Sequence, residues 1–355
     1  MARKLGPLSK VKTTNIIYPI IIGLGVVGYM FFKEFNPAAF SVLQFTKKTL
    51  IWIFIALLLM VIRDVGYIIR IRILTDQKLS WIQSIRVILL WEFTSAITPS
   101  AIGGTSIAIL YVNKENISVG KSSAVVMATS FLDELYFIIF FPVLLLIAGA
   151  ADLFGANSPE IRNEFMYFAI IGYSLKLLYT LIVSYGLFIN PRGLKWLLLW
   201  IFKLPILRRW RTGANETGTE LVSSSAELKS KSLAFWLKAF GATIISWTAR
   251  YWVANALLVA FFIVPNHFLV FARQFVMWIM MLVSPTPGGS GFAEFIFTEY
   301  LGEFIPVAPE FKAGVAVAIA FFWRLISYYP YLVIGVFIFP RWIKMKFVRK
   351  KESLG

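Results

Sequence analysis

The fold is decided by two short segments, Thr98-Pro99-Ser100-Ala101-Ile102-Gly103-Gly104 and Ser284-Pro285-Thr286-Pro287-Gly288-Gly289-Ser290-Gly291. Each interrupts a long apolar stretch. A lipid bilayer offers no water to unpaired backbone groups, so a helix broken at that depth must be buried in protein or line a cavity. Helices broken at corresponding places in two halves of a chain are typical of transporters built from inverted repeats. The two segments therefore predict a transport site near the middle of a membrane domain.

Composition places the rest of the chain in the membrane. Of the 355 residues, 59% are hydrophobic and 17% are aromatic, and the mean hydropathy is +0.75. A soluble domain of this length could not bury so much apolar surface. The first apolar run, residues 16–32, is too long for the core of a signal peptide, and Lys33-Glu34-Phe35-Asn36 follows it instead of a cleavage site. We expect this run to remain as a membrane span.

Residue types narrow the chemistry. The chain has no cysteine and a single histidine, His267, which argues against thiolate and histidine metal sites, so we expect neither a metal nor a cofactor. The net charge is +17, and the basic residues concentrate at the chain ends and in one internal loop. That distribution favours membrane lipids with anionic headgroups as partners and argues against nucleic acid.

Hydropathy predicts an all-α polytopic fold in a single integral membrane domain, residues 1–355. About 20 apolar residues make one crossing. Two further apolar regions, residues 81–112 and 268–305, each contain one of the breaks and are predicted as hairpins. The six full spans are predicted at residues 16–32, 50–73, 120–149, 163–189, 236–263 and 312–339.

Positive charge orients these spans, because cytoplasmic loops carry an excess of lysine and arginine. The N- and C-termini are predicted to be cytoplasmic, in a bacterial inner membrane. Both ends of the first hairpin are then inside and both ends of the second are outside, so the two hairpins are re-entrant from opposite faces. The basic groups are Arg3, Lys4, Lys10 and Lys12, then Arg70, Arg72 and Lys78, then residues 192–211, and last Arg341 to Lys351.

The order span, hairpin, span over residues 50–149 recurs over residues 236–339 with inverted orientation, as in an inverted repeat. An alternative is that residues 81–98 simply cross the membrane and that proline and glycine mark ordinary loops. Between the halves, residues 190–235 are predicted to form a cytoplasmic interfacial helix around Lys195–Lys203 and a flexible linker from Thr212 to Ser225.

Ionisable side chains at membrane depth are costly and mark functional sites. Arg250 and Arg324 are the candidates for holding a headgroup phosphate, because a guanidinium can donate two parallel hydrogen bonds and stays protonated. The alternative is that pairs such as Arg63 with Asp64, or Arg324 with Asp133, only join helices. The candidates for charge balance or proton coupling are Arg63, Glu92, Asp133, Glu134 and Glu294.

Helices are predicted to begin again after each glycine pair, at Thr105 and at Ser290, and their free N–H groups would attract an anion. The alternative is that the glycines only permit close helix crossing. The predicted substrate-binding residues are Pro99, Gly103, Gly104, Thr105, Arg250, Pro287, Gly288, Gly289, Ser290 and Arg324.

Two enzyme classes fit less well. Gly288-Gly289-Ser290-Gly291 also matches the serine motif of rhomboid proteases, but His267 precedes the serine and falls in a predicted outer loop. A lipid-modifying transferase could use a buried carboxylate as a general base, yet no segment is suited to bind an activated donor. The expectation is a transporter without synthase or protease activity.

The broken segments resemble the lysylphosphatidylglycerol synthase transmembrane region, a family of flippase-like membrane proteins. The resembling residues are those from Thr98 to Gly104 followed by Tyr111, and those from Pro285 to Gly291 with Glu294, within a looser likeness over about residues 15–340. The resemblance implies lipid translocation. Because the chain ends at Gly355, soon after its last span, no aminoacyl transferase activity is expected.

The stretch Thr105-Ser106-Ile107-Ala108 departs from the family pattern, in which many members carry a charged residue soon after the first glycine pair. The headgroup is therefore left open among aminoacylated, glycosylated and other anionic lipids. The predicted function is translocation between leaflets by alternating access. The alternatives are a small-molecule or ion transporter of the same architecture and a scaffold of envelope synthesis that transports nothing.

Overall fold

A computed structural model describes residues 43–98, 103–155, 159–201, 203, 211–281, 289 and 291–348, and these contain helices and no strands. The predicted first span, residues 16–32, lies outside the described residues. The helices of ten or more residues are α1 Lys47–Leu74, α2 Trp81–Ile97, α3 Gly103–Asn113, α4 Val119–Ala148, α5 Pro159–Ser184, α6 Pro191–Ile201, α7 Arg211–Lys229, α8 Leu233–Phe261, α9 His267–Met280, α10 Phe292–Leu301, α11 Pro309–Ser327 and α12 Tyr329–Ile343.

Five described helical stretches are long and apolar enough to cross a membrane: Lys47–Leu74, Val119–Ala148, Arg162–Ile189, Leu233–Phe261 and Pro309–Lys346. They coincide with the last five of the six predicted spans. The final stretch is divided into α11 and α12 at Tyr328. Pro330 explains this division, because proline lacks an N–H and clashes with the preceding turn of a helix.

The apolar region at 81–112 folds as a helical hairpin. Helices α2 and α3 are antiparallel, since Arg86 forms a 3.1 Å salt bridge with Glu115 while Gly104 lies directly against Ser95. Helix α2 begins at a capping box in which Ser80 and Gln83 bond each other's backbone N–H groups. Both ends of this hairpin consequently lie at the same end of the molecule.

The second broken region folds back in the same way. Arg273 of α9 contacts the end of α10. Its Nη1 donates to the main-chain oxygen of Tyr300 at 2.9 Å, and the same nitrogen lies 2.7 Å from the carboxylate of Glu303. Arg273 Nη2 also donates to the main-chain oxygen of Asp152 at 2.8 Å. Helices α9 and α10 are therefore antiparallel. The start of α9 and the end of α10 lie beside the turn that follows α4.

Ion pairs show that the two hairpins open at opposite ends. Lys121 and Lys231 both bond Asp76, at 3.1 and 2.6 Å, and Lys346 bonds Glu115 at 2.8 Å. These bonds gather residues 75–80, 114–121, 230–232 and 344–348 at what we call the basic end, where the first hairpin opens. The second hairpin opens at the other end, with the residues that follow α4 and α8.

Helices α1 and α8 form the most extensive helix–helix contact among the described residues. Gly66 faces Ser246 and Ala242, and Ser246 Oγ donates to the main-chain oxygen of Arg63 at 2.9 Å. Nearer the opposite end, Thr49 Oγ1 donates to the main-chain oxygen of Ala260 at 3.1 Å. Small residues at this crossing let the two backbones approach closely.

The prediction of a flexible linker from Thr212 to Ser225 is wrong, because these residues belong to helix α7, Arg211–Lys229. Its polar residues are held by tertiary contacts: Glu220 accepts from the backbone N–H of Gly120 at 3.0 Å, and Thr219 accepts from Lys195 at 2.9 Å. Helix α6 is present where an amphipathic helix was predicted. Its position at the membrane surface stays a prediction.

The helix starts after the glycine pairs also differ from the predictions at Thr105 and Ser290. Helix α3 already begins at Gly103. Helix α10 begins later, at Phe292, because Gly289 and Gly291 have φ values of 71° and 83° that no helix can accommodate.

Candidate functional site

Charged residues meet near the middle of the long helices, and the first group surrounds Arg63 of α1. Its side chain is 1% exposed and lies 2.8 Å from the carboxylate of Asp64 and 2.5 Å from that of Glu92. Tyr331 of α12 donates its hydroxyl to Asp64 at 2.8 Å. The ring of Tyr67 lies 4.7 Å from the guanidinium carbon. This cluster joins α1 to α2 and α12.

The second group surrounds Asp133 of α4. Arg70 donates to both of its carboxylate oxygens, at 2.5 and 3.2 Å, and the Nε1 of Trp247 donates to it at 2.7 Å. Arg70 also donates to Thr243 at 3.1 Å. These bonds connect α1, α4 and α8. A carboxylate that accepts three hydrogen bonds, two of them from one guanidinium, is held rigidly in place.

The third group is the pair of Glu134 and Lys176, whose ammonium lies 2.9 and 2.7 Å from the two carboxylate oxygens. In all three groups the cation is more deeply buried than its carboxylate. The side chains of Arg63, Arg70 and Lys176 are 1, 4 and 5% exposed, whereas those of Asp64, Glu92, Asp133 and Glu134 are 19–23% exposed.

Arg250 differs from these cations. It lies near the middle of α8 and is half-buried, yet within the described ranges it forms neither an ion pair nor a hydrogen bond. Its guanidinium carbon lies instead 4.6 Å from the ring centroid of Trp278 and 5.4 Å from that of Trp247. Aromatic faces attract a cation without consuming its N–H donors. Its N–H groups therefore remain available to a ligand.

Arg324, the other predicted phosphate contact, is 5% exposed and already engaged. Its Nε lies 2.9 Å from Glu294 Oε1, and the other oxygen of Glu294 accepts from the backbone N–H of Gly291 at 2.7 Å. The guanidinium also stacks 3.7 Å from the ring centroid of Tyr328. Glu294 thereby occupies the first turn of α10, where a helix N-terminus attracts negative charge.

The remaining predicted residues are placed as follows. Gly104 is buried, and a side chain at this position would overlap Ser95, which favours the close-crossing role for this glycine. Thr105 is exposed and Gly289 is buried. Gly103 starts α3. The rest of the predicted substrate-binding set, Pro99, Pro287, Gly288 and Ser290, lies outside the described residues.

The pairing considered between Arg324 and Asp133 does not form. Their partners are Glu294 and Arg70. Arg70, which the charge pattern places at the cytoplasmic end of the second span, lies inside α1 and is 3% exposed. Lys176 was also missed, although a lone lysine in the apolar run of α5 was a detectable signal.

The fold and the central charges define a polytopic helical membrane protein with two helical hairpins and a set of buried ion pairs. Residues 16–335 match the family described as the Lysylphosphatidylglycerol synthase TM region, so the chain belongs to this family. A UPF0104 membrane protein of Archaeoglobus fulgidus is 26% identical over 348 residues, which cover 94% of this chain and 98% of that relative. No solved structure matches the chain.

Proposed function

We propose that the protein moves an anionic lipid between the leaflets of the cytoplasmic membrane, and that Arg250 holds the headgroup phosphate. The observation that carries this proposal is the state of Arg250 itself. Every other arginine or lysine of the central groups is bonded to a carboxylate, whereas Arg250 is held only by Trp247 and Trp278 in the part of the chain that is described.

The cost of such a cation supports a functional role. Placing arginine at the centre of a membrane helix costs about 3 kcal/mol on insertion scales, and buried examples pair with carboxylates or face a water-filled cavity. A phosphate that accepts two parallel bonds from the guanidinium would offset that cost. Arg324 is a weaker candidate, since Glu294 already neutralises it at 2.9 Å.

The arrangement of the hairpins supports alternating access. They open at opposite ends, and the spans that precede them, α1 and α8, are antiparallel and in close contact. Both features fit an inverted repeat over residues 50–149 and 236–339 with two re-entrant hairpins. In this proposal the basic end faces the cytoplasm. Rocking of the two repeats would expose Arg250 to each leaflet in turn.

The carboxylates have a supporting role in this scheme. Asp133 lies one hydrogen bond from Trp247, whose ring faces Arg250, so its charge is close to the proposed phosphate site. Asp133, Glu134 and Glu92 balance the buried cations, and their side chains are 19–23% exposed. We propose no chemical step, because a carboxylate bonded to a guanidinium is a poor general base.

The test is lipid exchange in vesicles that contain the purified protein. Fluorescent phosphatidylglycerol in the inner leaflet is protected from an external reductant until it is moved outward. Arg250→Gln should slow this exchange by about tenfold or more, the factor expected for losing hydrogen bonds to a charged group. The exchange rate of Arg250→Lys should lie between those of the wild type and Arg250→Gln, because lysine keeps the charge but lacks the planar guanidinium.

Arg192→Gln is the matched control, because it removes an exposed arginine from α6 with the same change in charge. It should exchange lipid at the wild-type rate. Equal rates for Arg250→Gln and the wild type would contradict the role of Arg250. A wild-type protein that moves no lipid would contradict translocation and favour a soluble cargo or a scaffold.

A further inference from the structure

A groove between α2 and α12 opens at the basic end, away from the charged groups described above. Its volume is about 280 Å³. On α2 the lining residues Ile82, Ile85 and Leu89 recur at helical spacing. On α12 the wall continues through Ile338 and Trp342. The groove is therefore a continuous apolar slot between two helix faces.

Two arginines, Arg86 and Arg341, stand in the walls of this slot. Arg86 shares the carboxylate of Glu115 with Lys346, at 3.1 and 2.8 Å. Arg341 is exposed and bonds no carboxylate among the described residues. Glu115 is 0% exposed and thus does not reach the slot. Among the described residues, the open part of the groove therefore carries a net positive charge beside an apolar surface.

We propose that this groove holds one anionic phospholipid, with its phosphate at Arg341 and Arg86 and an acyl chain along Ile85, Leu89 and Ile338. The charge selects an acidic headgroup, and the apolar slot selects an acyl chain over a soluble anion. Basic pockets between helices at the cytoplasmic face are suited to such lipids. The site is separate from Arg250, which lies on α8, so it does not depend on the proposed translocation.

The position of the groove indicates what the lipid does. It lies between an arm of the first hairpin and the last helix, which are otherwise joined at this end by Glu115 through Arg86 and Lys346. A lipid bound only to the folded protein stabilises it in proportion to its concentration. The bound lipid is thus a structural ligand that fastens α2 to α12.

Native mass spectrometry of the full chain with dioleoyl phosphatidylglycerol or dioleoyl phosphatidylcholine tests this site. The wild type should retain at least one more phosphatidylglycerol than phosphatidylcholine. Arg341→Gln should weaken this retention by about tenfold, the effect of losing a charge-assisted hydrogen bond. Ile338→Trp, which fills the slot and keeps both arginines, should also remove the lipid.

Arg192→Gln serves as the control, because it removes an exposed basic residue of α6 from outside the groove. Unchanged lipid retention in both Arg341→Gln and Ile338→Trp would overturn the proposal, because the lipid would then not bind in the groove. Loss in Arg341→Gln with full retention in Ile338→Trp would place the lipid on the surface and also overturn it. An equal loss in the control would show non-specific attraction and overturn it as well.

Discussion

The contact between α1 and α8 yields the sharpest stability prediction, through the substitution Gly66→Ala. A methyl group on Gly66 would overlap the hydroxyl oxygen of Ser246 and lie 2.9 Å from the main-chain oxygen of Ala242. Ser246 cannot turn away without cost, because its hydroxyl donates to the main-chain oxygens of Arg63 and Ala242 at 2.9 and 3.0 Å. The substitution therefore forces the two helices apart.

The magnitude follows from these contacts. Ordinary carbon contacts lie at about 3.5 Å or more, so the backbones must separate by about 0.6 Å at this point. Overpacking of this kind costs about 1–3 kcal/mol, whereas alanine is favoured over glycine inside a helix by up to about 1 kcal/mol. We expect Gly66→Ala to lower the free energy of unfolding by about 1–2 kcal/mol after both effects.

Unfolding in mixed micelles, titrated with a denaturing detergent and followed by tryptophan fluorescence, measures this free energy. Gly241→Ala is the matched control, since it lies in α8 and a side chain there would meet nothing within 4 Å. That control should be as stable as the wild type or more stable. Adding Ser246→Ala to Gly66→Ala should recover part of the loss. Equal stability of Gly66→Ala and Gly241→Ala would refute the reasoning.

Two other predictions concern single charges. Lys176→Met should lower the free energy of unfolding by about 1–3 kcal/mol, because it leaves the partly buried carboxylate of Glu134 without its cation. Adding Glu134→Gln should restore most of that loss in the same titration. Burial alone would raise the pKa of Asp76, but hydrogen bonds from Lys231 and Lys121 lower it below its ordinary value. The stabilisation from Asp76 is therefore complete above about pH 4 and is lost as the pH falls through the lower folded pKa. Asp76→Asn, which tolerates the φ of 53° at this position, should remove this dependence from thermal unfolding curves measured between acidic and neutral pH, and a persistent dependence would contradict it.

The long helices were predictable because their signal is local. A run of about 20 apolar residues is recognisable without knowing its neighbours, and the five described spans agree with the prediction. The prediction of a linker at residues 212–225 failed because it too relied only on local composition. Serine, threonine and glycine favour a linker by composition, but contacts of Thr219 and Glu220 with other helices hold α7 together.

The charged residues show where local information ends. Most of the buried charges could be found from the sequence, because an arginine or a carboxylate in an apolar run is conspicuous. Apart from Asp64 beside Arg63, their partners could not be found, since Arg63 also bonds Glu92 of another helix and Arg70 bonds Asp133 from 63 residues away. Which cations are neutralised depends on how each helix is rotated about its axis, and hydropathy does not record this rotation.

The sequence by itself determined that the chain is a helical membrane protein, where its described spans lie, and most of the charges that lie within those spans, because each of these depends on short runs of residues. Only the tertiary structure decided which charges are paired. Packing of α1, α4, α5, α8, α10 and α11 brings carboxylates to Arg70, Lys176 and Arg324, and it brings Arg250 only aromatic rings. The physical reason is that a charge within the membrane is stabilised by whatever lies beside it, and helices distant in sequence supply that neighbour.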